Sequence, residues 1–197
     1  KSKKKYLKKF ISTNDSGIYD ALNKAIKKCT GKYVAILHSD DIFYNKKVIK
    51  KKINYMIKNN LDFTFSNLEV VDNNNKVFRK VISKNYTPGY LKYGIHPPHP
   101  TLVMKRSIFK EIGFYSTKYK ICSDFDFFAK LFSKNYRWKH FNIMSVKHRR
   151  GGKSDTNIFQ KILLTNELSE ILKKRGIFSL RIFFIIKFIL RFIERMR

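Results

Sequence analysis

Two adjacent carboxylates, Asp40 and Asp41, closely follow a short apolar run at residues 33–37. Such a run is typical of a strand covered on both faces in a parallel sheet, and ligands of open α/β sheets bind beyond the carboxyl ends of the strands. Neighbouring carboxylates repel each other unless a proton or a cation relieves them, and a divalent metal that holds phosphates is a common solution. The pair therefore indicates either a metal site or a solvated acidic turn, in which Asp is also common.

A second pair of carboxylates, Asp124 and Asp126, falls in the first turn of a helix that Ser123 is predicted to cap. Negative charge is favoured there by the helix dipole, so capping alone is a sufficient structural explanation. A strand end and a helix start can also form the two rims of one cleft. The spacing along the chain does not show whether the two acidic pairs face each other.

The segment 148–154 combines four cationic or imidazole side chains with the pair Gly151–Gly152. We predict a flexible basic loop, which could wrap a diphosphate or form an ordinary exposed turn. Upstream, three prolines in the segment 96–100 exclude a helix or a central strand and predict a stiff loop.

The overall composition is strongly basic, with 43 Lys and Arg against 14 Asp and Glu and a formal net charge of +29. This charge favours anionic partners, and nucleic acid, acidic lipid and phosphorylated small molecules are equally compatible with it. Alternatively, the excess of lysine only reflects codon usage. The 197 residues suffice for one domain with a short appendage. Two isolated cysteines, Cys29 and Cys122, indicate a reducing compartment rather than a disulfide framework, so we expect cytosolic exposure.

Hydrophobic periodicity predicts an α/β chain. Helices are expected at 18–29, 45–59, 107–112, 123–133 and 158–174, and strands at 33–37, 61–66, 101–104 and within 136–146, with a hairpin at 70–82. In the second helix the apolar positions should face inward and the lysines should form a solvated outer face; the inward positions are Val48, Ile49, Ile53, Met56 and Ile57. The strand at 61–66 should have one buried face.

The last segment, 176–197, is predicted to form a basic helix with a wide apolar face. Its cations argue against a simple spanning segment, for which about 20 predominantly apolar residues are needed. We therefore predict two parts: a domain over 1–175 and a helix over 176–197 that lies in a membrane interface. The alternative is a terminal helix packed on the core or on a partner subunit.

The first predicted element is a helix preceded by a polar turn at Thr13–Gly17, where an α/β domain ordinarily opens with a hydrophobic strand. We therefore expect the fold to be truncated at its N-terminus.

Four stretches together resemble, in order and spacing, the family 2 glycosyltransferases with the GT-A fold, most closely bacterial enzymes of surface-polysaccharide assembly. They are DSGIYDALNK at 15–24, YVAILHSDD at 33–41, PHPTLVMKR at 98–106 and ICSDFDF at 121–127, and the resemblance extends over residues 12–175. It implies a mixed, mostly parallel sheet flanked by helices. The family's opening nucleotide-binding strand and helix have no counterpart before Asp15, which agrees with the expected truncation.

The resemblance also implies roles for individual residues. Asp41 would bind Mg²⁺ or Mn²⁺, Asp40 would face the metal or the ribose, and Asp124 would be the catalytic base, with Asp126 as the fallback. The residues expected near the nucleotide sugar are Gly17, Asp20, Asn23, Lys24, Asp40, His148, Arg149 and Lys153. His96 and His99 either shape their proline-rich loop or contact the acceptor or the metal.

The implied function is a metal-dependent, inverting transfer of a sugar from a nucleotide-diphosphate donor to a glycan or lipid-linked acceptor, in surface-polysaccharide synthesis. The enzyme would be peripheral on the cytosolic, anionic face of the membrane. Two alternatives remain open at this point. One is an inactive, truncated transferase acting as a membrane-bound interaction module; the other is a basic nucleic-acid-binding protein, although no recognised nucleic-acid motif is present.

Overall fold

The computed structural model describes residues 9–10, 12–149, 158–180 and 184. The helices in these ranges are α1 (Ile18–Lys28), α2 (Val48–Lys58), α3 (Ile108–Ile112), α4 (Ser123–Phe132) and α5 (Ile158–Lys174). The strands are β1 (Tyr33–Ala35), β2 (Asp41–Phe43), β3 (Phe63–Val71), β4 (Val77–Val81), β5 (Val103–Lys105) and β6 (Trp138–Arg149). Short 3-10 helices occupy Pro88–Tyr93 and His99–Thr101. The predicted helices are thus found within a few residues of their expected bounds.

The strands form one mixed sheet in the order β1-β5-β3-β6-β2, with β4 paired to β3 beyond the end of β5. Within the described part of the chain only β3 and β6 run parallel; the other neighbours are antiparallel. The expectation of a mixed α/β sheet flanked by helices is confirmed. The expected predominance of parallel pairs is corrected, because β2 and β5 both return against the direction of β1, β3 and β6.

The apolar run at 33–37 is a shorter strand than expected. Only Tyr33–Ala35 is extended in the sheet, and among the described strands β1 pairs with β5 alone. Val34 is buried and Ala35 is exposed, as is typical of an edge strand. The run therefore does not form the doubly covered central strand that its composition suggested.

The central strand is β3, and all nine of its residues are buried. Its polar side chains find partners inside the protein: Thr64 Oγ1 donates to the Lys139 carbonyl at 2.7 Å, and Ser66 Oγ donates to Ser145 Oγ at 2.7 Å. Buried hydroxyls are tolerated when they are hydrogen-bonded in this way. The alternation at 61–66 predicted a strand with only one buried face. In the structure the other face is buried as well, and its polar side chains are hydrogen-bonded.

A core rich in aromatic side chains lies between β3 and helix α4. Phe63 and Phe65 of the strand and Phe127 and Phe128 of the helix are among its fully buried members. Trp138 stacks on the Phe63 ring with centroids 6.1 Å apart. This packing fixes α4 on the sheet, and with it the acidic first turn of that helix.

Helix α2 differs from its predicted orientation. Lys52 is buried, with 1% of its surface exposed, whereas Ile57 is 61% exposed. Lys52 stands four residues after Val48 and four before Met56, so helical geometry places it on the buried stripe with these two side chains. The assignment of every lysine to a solvated face was therefore wrong at this position.

Of the predicted terminal helix, the described residues are 176–180 and Phe184. Phe184 is buried in a cluster with Leu91, Leu168 and Leu172, which agrees at this residue with a segment packed on the core. The rest of the predicted interfacial helix lies outside the described residues. Within the described ranges, no helix is both long enough and apolar enough to cross a membrane.

Candidate active site

The carboxylate of Asp41 lies at the start of β2, directly opposite His148 of β6 in the antiparallel register. His148 Nδ1 is 2.6 Å from Asp41 Oδ1, and the Asp41 side chain is fully buried. The second oxygen, Asp41 Oδ2, is also buried and has no hydrogen-bond partner among the described residues. A buried carboxylate oxygen without a partner is costly, so an additional ligand is expected at this atom.

Asp40 belongs to the tight turn that leads into β2. The turn is closed by the Asp41 N–H, which donates to the His38 carbonyl at 3.1 Å, and the Asp40 residue is exposed. The two carboxylates that are adjacent in sequence therefore have different surroundings: one is buried against His148 and the other faces solvent.

The donor set around Asp41 fits a divalent metal of the Mg²⁺ type. Asp41 Oδ2 is a hard oxygen ligand, as Mg²⁺ and Mn²⁺ prefer, and Asp40, its neighbour in sequence, carries a second carboxylate. Within the described ranges no group of three or more His, Cys, Asp or Glu side chains is arranged to hold a metal. Mg²⁺ usually takes only one or two carboxylates and completes its coordination with water and substrate phosphates, so this small donor set is sufficient.

Asp124, in the first turn of α4, is surrounded by aromatic and imidazole side chains. Its carboxylate accepts the Phe125 N–H at 2.8 Å, and His96 Nε2 lies 3.6 Å from its Oδ2. Tyr19 Oη is 3.5 Å from Asp124 Oδ1 but donates at 2.7 Å to the Ile121 carbonyl, which is the better hydrogen bond. About a quarter of the Asp124 side chain is exposed, so the carboxylate is open to a substrate.

His99 shows that the two acidic positions border a common region. Burial lowers the pKa of His99 to about 4, while the charges of both Asp124 and Asp41 act to raise it. His96 of the same loop lies 3.6 Å from Asp124, and the His99 ring lies 5.7 Å from the ring of His38, whose carbonyl accepts the Asp41 N–H. His99 Nε2 is also 2.8 Å from the Tyr115 hydroxyl, which anchors the ring in its loop as a neutral imidazole. The folded loop 96–100 therefore contacts both Asp124 and the turn that carries Asp41, which the sequence alone could not show.

Asp126 has a structural role. It is buried, and its carboxylate pairs with Arg175 Nη2 at 2.7 Å and with Lys130 Nζ at 3.3 Å. The contact with Arg175 joins α4 to the residue just after α5. These contacts indicate a role for Asp126 in the packing of α4 on the end of α5, and a catalytic role for Asp124 or Asp126 stays a prediction.

The residues predicted near the nucleotide at the start of α1 have varied surroundings. Gly17 has a φ of +131° and its N–H donates to Asp15 Oδ1 at 3.0 Å. Asp20 pairs with Lys24 at 2.8 Å, and this bond chiefly lowers the pKa of Asp20. Asn23 is buried, and its amide is bonded at both ends to the backbone of residue 115, at 2.8 and 3.0 Å. Asn23 thus joins α1 to the backbone of residue 115, and contact of all four residues with a nucleotide stays a prediction.

The predicted basic loop begins later than expected, because His148 and Arg149 are the last residues of β6. Successive strand residues point to opposite faces of a sheet, so Arg149 is not brought to the Asp41–His148 pair. Its Nε is buried and has no hydrogen-bond partner in the described part of the chain. Lys153 lies outside the described residues.

A polar group that the sequence analysis missed lies beneath the loop of His99. Lys52 Nζ donates to Ser66 Oγ at 2.8 Å and to the Thr101 carbonyl, and the Thr101 hydroxyl donates to the Pro98 carbonyl at 2.7 Å. This group fixes the 3-10 turn His99–Thr101 on the sheet. The helical position of Lys52 between Val48 and Met56 was the signal that could have found it.

Comparison with known proteins agrees with this arrangement. The sequence profile described as "Glycosyl transferase family 2" matches residues 2–141. The chain belongs to glycosyltransferase family 2. The match covers the acidic turn at 40–41 and both candidate aspartates at the start of α4.

Relatives of this family member include bacterial and archaeal proteins. The uncharacterized glycosyltransferase MJ1057 of Methanocaldococcus jannaschii is 28% identical over 132 residues, which is 64% of this chain and 45% of the relative. The Escherichia coli UDP-Glc:alpha-D-GlcNAc-diphosphoundecaprenol beta-1,3-glucosyltransferase WfgD is 32% identical over 106 residues, 53% of this chain and 42% of the relative. The O-antigen biosynthesis glycosyltransferase WbnJ, also from Escherichia coli, is 25% identical over 80% of this chain and 63% of its own length. The chain thus spans about half the length of these relatives.

Among solved structures, S. aureus TarS 1-349 superposes with a TM-score of 0.57 at 17% identity, over 82% of this chain and 47% of TarS. The same protein in complex with UDP gives a TM-score of 0.54 at 18% identity, over 83% of this chain and 54% of that one. At such identities the likeness shows that this chain and TarS share a fold, and nothing beyond the fold.

Proposed function

We propose that this protein is part of an inverting, metal-dependent glycosyltransferase that uses a nucleotide-diphosphate sugar as donor. The observation that carries the proposal is the buried Asp41 carboxylate, which His148 holds at one oxygen while the other has no partner among the described residues. An anionic oxygen in this state calls for a cation. Family membership and the UDP complex of the structural neighbour TarS support a nucleoside diphosphate as the companion of that cation.

Asp41, together with the exposed Asp40, would hold Mg²⁺ or Mn²⁺. The bound cation would neutralise the diphosphate leaving group. His148 contributes by fixing the orientation of Asp41 through Oδ1, as partners of metal-ligating carboxylates commonly do.

Asp124 would act as the general base. An acceptor hydroxyl attacks the anomeric carbon from the face opposite the diphosphate, and the Asp124 carboxylate takes the hydroxyl proton. The new bond joins the acceptor oxygen to the anomeric carbon, the bond from that carbon to the diphosphate oxygen breaks, and the nucleoside diphosphate leaves with the bonding electrons. Partial exposure of Asp124 leaves room for the acceptor, whereas buried Asp126 is neutralised by two cations.

The acceptor is proposed to be a glycan or a lipid-linked sugar in surface-polysaccharide synthesis. Support comes from the names of the relatives: WfgD acts on a diphosphoundecaprenol-linked sugar, and WbnJ belongs to O-antigen biosynthesis. A lipid-linked acceptor would bring the protein to the cytosolic membrane surface, and its net charge of +29 suits an anionic bilayer.

The test combines nucleotide binding with transfer. Thermal shifts are measured with a panel of nucleoside diphosphates, each with and without Mn²⁺, for the unaltered protein and for Asp41→Asn, Asp124→Asn and the surface control Glu111→Gln. We expect one nucleotide to stabilise the protein only with Mn²⁺, because a ligand that binds the folded state raises the melting temperature. Asp41→Asn should lose this effect, and the other two variants should keep it.

Sugar transfer from the matching donor should be abolished by Asp41→Asn and by Asp124→Asn and unchanged by Glu111→Gln. An undiminished Mn²⁺-dependent shift in Asp41→Asn would refute the metal assignment. Normal turnover of Asp124→Asn would refute the base assignment, and the lack of a shift with every nucleotide would contradict donor binding.

A further inference from the structure

Helix α5 binds the segment that leads into α4 through a single carboxylate. Glu167 is buried, with 7% of its surface exposed. Its Oε1 accepts the Lys120 N–H at 2.8 Å, and its Oε2 accepts the N–H groups of Ile121 and Cys122 at 3.0 and 2.9 Å. One side chain thus satisfies three successive backbone donors. Charge-assisted bonds of this kind are about twice as strong as neutral ones.

The bound segment ends two residues before the candidate base. Helix α4 begins at Ser123 with Cys122 as its N-cap, and no side chain of the cap residue closes the helix end. Ser123 is therefore the first helical residue and not the cap that its sequence suggested. The three N–H groups held by Glu167 lie directly before this helix start, so the carboxylate fixes where α4, and with it Asp124, begins.

The same segment is held from the opposite side by α1. Tyr19 Oη donates to the Ile121 carbonyl at 2.7 Å, while the Ile121 N–H is bonded to Glu167. Both polar groups of one peptide residue are therefore fixed by side chains from two different helices. Burial and the charge of Asp124 raise the pKa of Tyr19, so its hydroxyl remains a donor under ordinary conditions.

We propose that Glu167 is the positioning residue for the base Asp124. The inference rests on the proposed function, because it requires Asp124 to accept the acceptor proton. Glu167 itself contacts the backbone and not the substrate. It fixes the position and the direction of the first turn of α4. Displacing a catalytic group by about 1 Å can lower the rate on the order of 100-fold. Loss of the three hydrogen bonds should therefore lower the turnover rate by displacing Asp124.

A second contact between α4 and the end of α5 offers a matched control. Arg175 pairs with Asp126 at 2.7 Å, two residues after Asp124 in α4. Among the described residues, Arg175 forms no hydrogen bond or ion pair with the segment 120–122. Arg175→Met therefore weakens the packing of the same two helices without releasing that segment. Glu170→Gln, at an exposed residue of α5 that pairs with Lys118, controls for the loss of a negative charge.

The experiment compares Glu167→Gln with these two variants in the full chain. The Gln amide keeps the size of the side chain but replaces one accepting oxygen with a donor, so at least one N–H group loses its partner. We expect the kcat of Glu167→Gln to fall about 10- to 100-fold with an unchanged KM for the donor, and amide exchange at 120–122 to accelerate. Arg175→Met and Glu170→Gln should keep kcat within about twofold and the amide exchange of the unaltered protein.

The outcomes separate this inference from the proposed function. If Glu167→Gln loses thermal stability but retains kcat, or if Arg175→Met loses kcat as strongly, Glu167 is merely structural and the inference is overturned. Asp124→Asn is measured in the same series. Full activity of that variant overturns the base assignment and the positioning inference together, whereas an inactive Asp124→Asn beside a fully active Glu167→Gln overturns the inference alone.

Discussion

Replacing the buried Lys52 with Met should make the protein less sensitive to pH and more stable in acid. Lys52 Nζ has two oxygen partners, Ser66 Oγ and the Thr101 carbonyl, and no carboxylate in the described ranges forms a hydrogen bond or an ion pair with it. Burial lowers the pKa of Lys52 from 10.5 to about 7. The charged form is thus disfavoured in the folded state, and Met offers a similar length without the charge.

The size of the effect follows from the two pKa values. Between about pH 7 and 10.5 the unfolded chain holds a proton on this amine that the folded chain has released, so stability rises with pH by about 1.4 kcal/mol per pH unit. Below about pH 7 Lys52 is protonated in both the folded and the unfolded state. The full cost of burying its charge, roughly 5 kcal/mol, then destabilises the folded state. The bonds to Ser66 and Thr101 that Met cannot make cost about 1–3 kcal/mol, a loss that varies little with pH.

Urea unfolding at intervals from pH 6 to 10 provides the measurement. The stability gain of Lys52→Met over the unaltered protein should be about 4 kcal/mol larger at pH 6 than at pH 10. Lys51→Met removes one charge from the exposed neighbour in the same helix, and its curve should run parallel to that of the unaltered protein. A constant difference between Lys52→Met and the unaltered protein across this range would refute the reasoning, because it would mean that Lys52 does not change protonation on folding.

Three further substitutions test the packing around the site, each by the shift of the urea midpoint. Asn23→Ala leaves two buried backbone groups without partners and should cost about 2–4 kcal/mol; a loss below 1 would show that water replaces the amide. Gly94→Ala should cost about 1–3 kcal/mol, because φ is +67° and the new methyl would lie 3.0 Å from Leu168 Cδ1 and 3.3 Å from the Phe184 ring; a neutral result would indicate that these two side chains move aside freely. Asp126→Asn should cost about 3–5 kcal/mol, because it leaves Arg175 and Lys130 without a carboxylate partner. An unchanged midpoint would show that Asp126 does not stabilise the packing of α5.

Local patterns in the sequence were enough to predict most of the secondary structure. Helix α5 begins and ends as its periodicity indicated, and α3 ends at Gly113, whose φ of +79° only glycine adopts readily. The hairpin of β3 and β4 follows from its turn, in which Asp72 Oδ1 accepts two backbone N–H groups. These elements depend on interactions a few residues apart, and such interactions can be read from spacing.

Features that depend on contacts between distant segments were not predictable in the same way. The pairing of strands in the sheet is one example, since the antiparallel return of β5 beside β1 joins residues about 70 positions apart. The contact between Asp41 and His148 and the bonds of Glu167 to residues 120–122 are others. The types of the site residues could be predicted from the resemblance, but which of the acids is buried, paired or open depends on this long-range folding.

Acidic residues are rare in this chain, which has 43 Lys and Arg against 14 Asp and Glu, so the partners of each carboxylate are informative. With cations in such excess, a buried carboxylate can readily find a positive or donating partner. Asp62 bonds to Lys105 and to the Arg137 N–H, Asp126 pairs with two cations, and Glu167 accepts three N–H groups. Asp41 departs from this pattern, because its Oδ2 is buried without any hydrogen-bond partner in the described part of the chain. No lysine among the described residues bonds to this oxygen, and this observation motivates the metal ion proposed there.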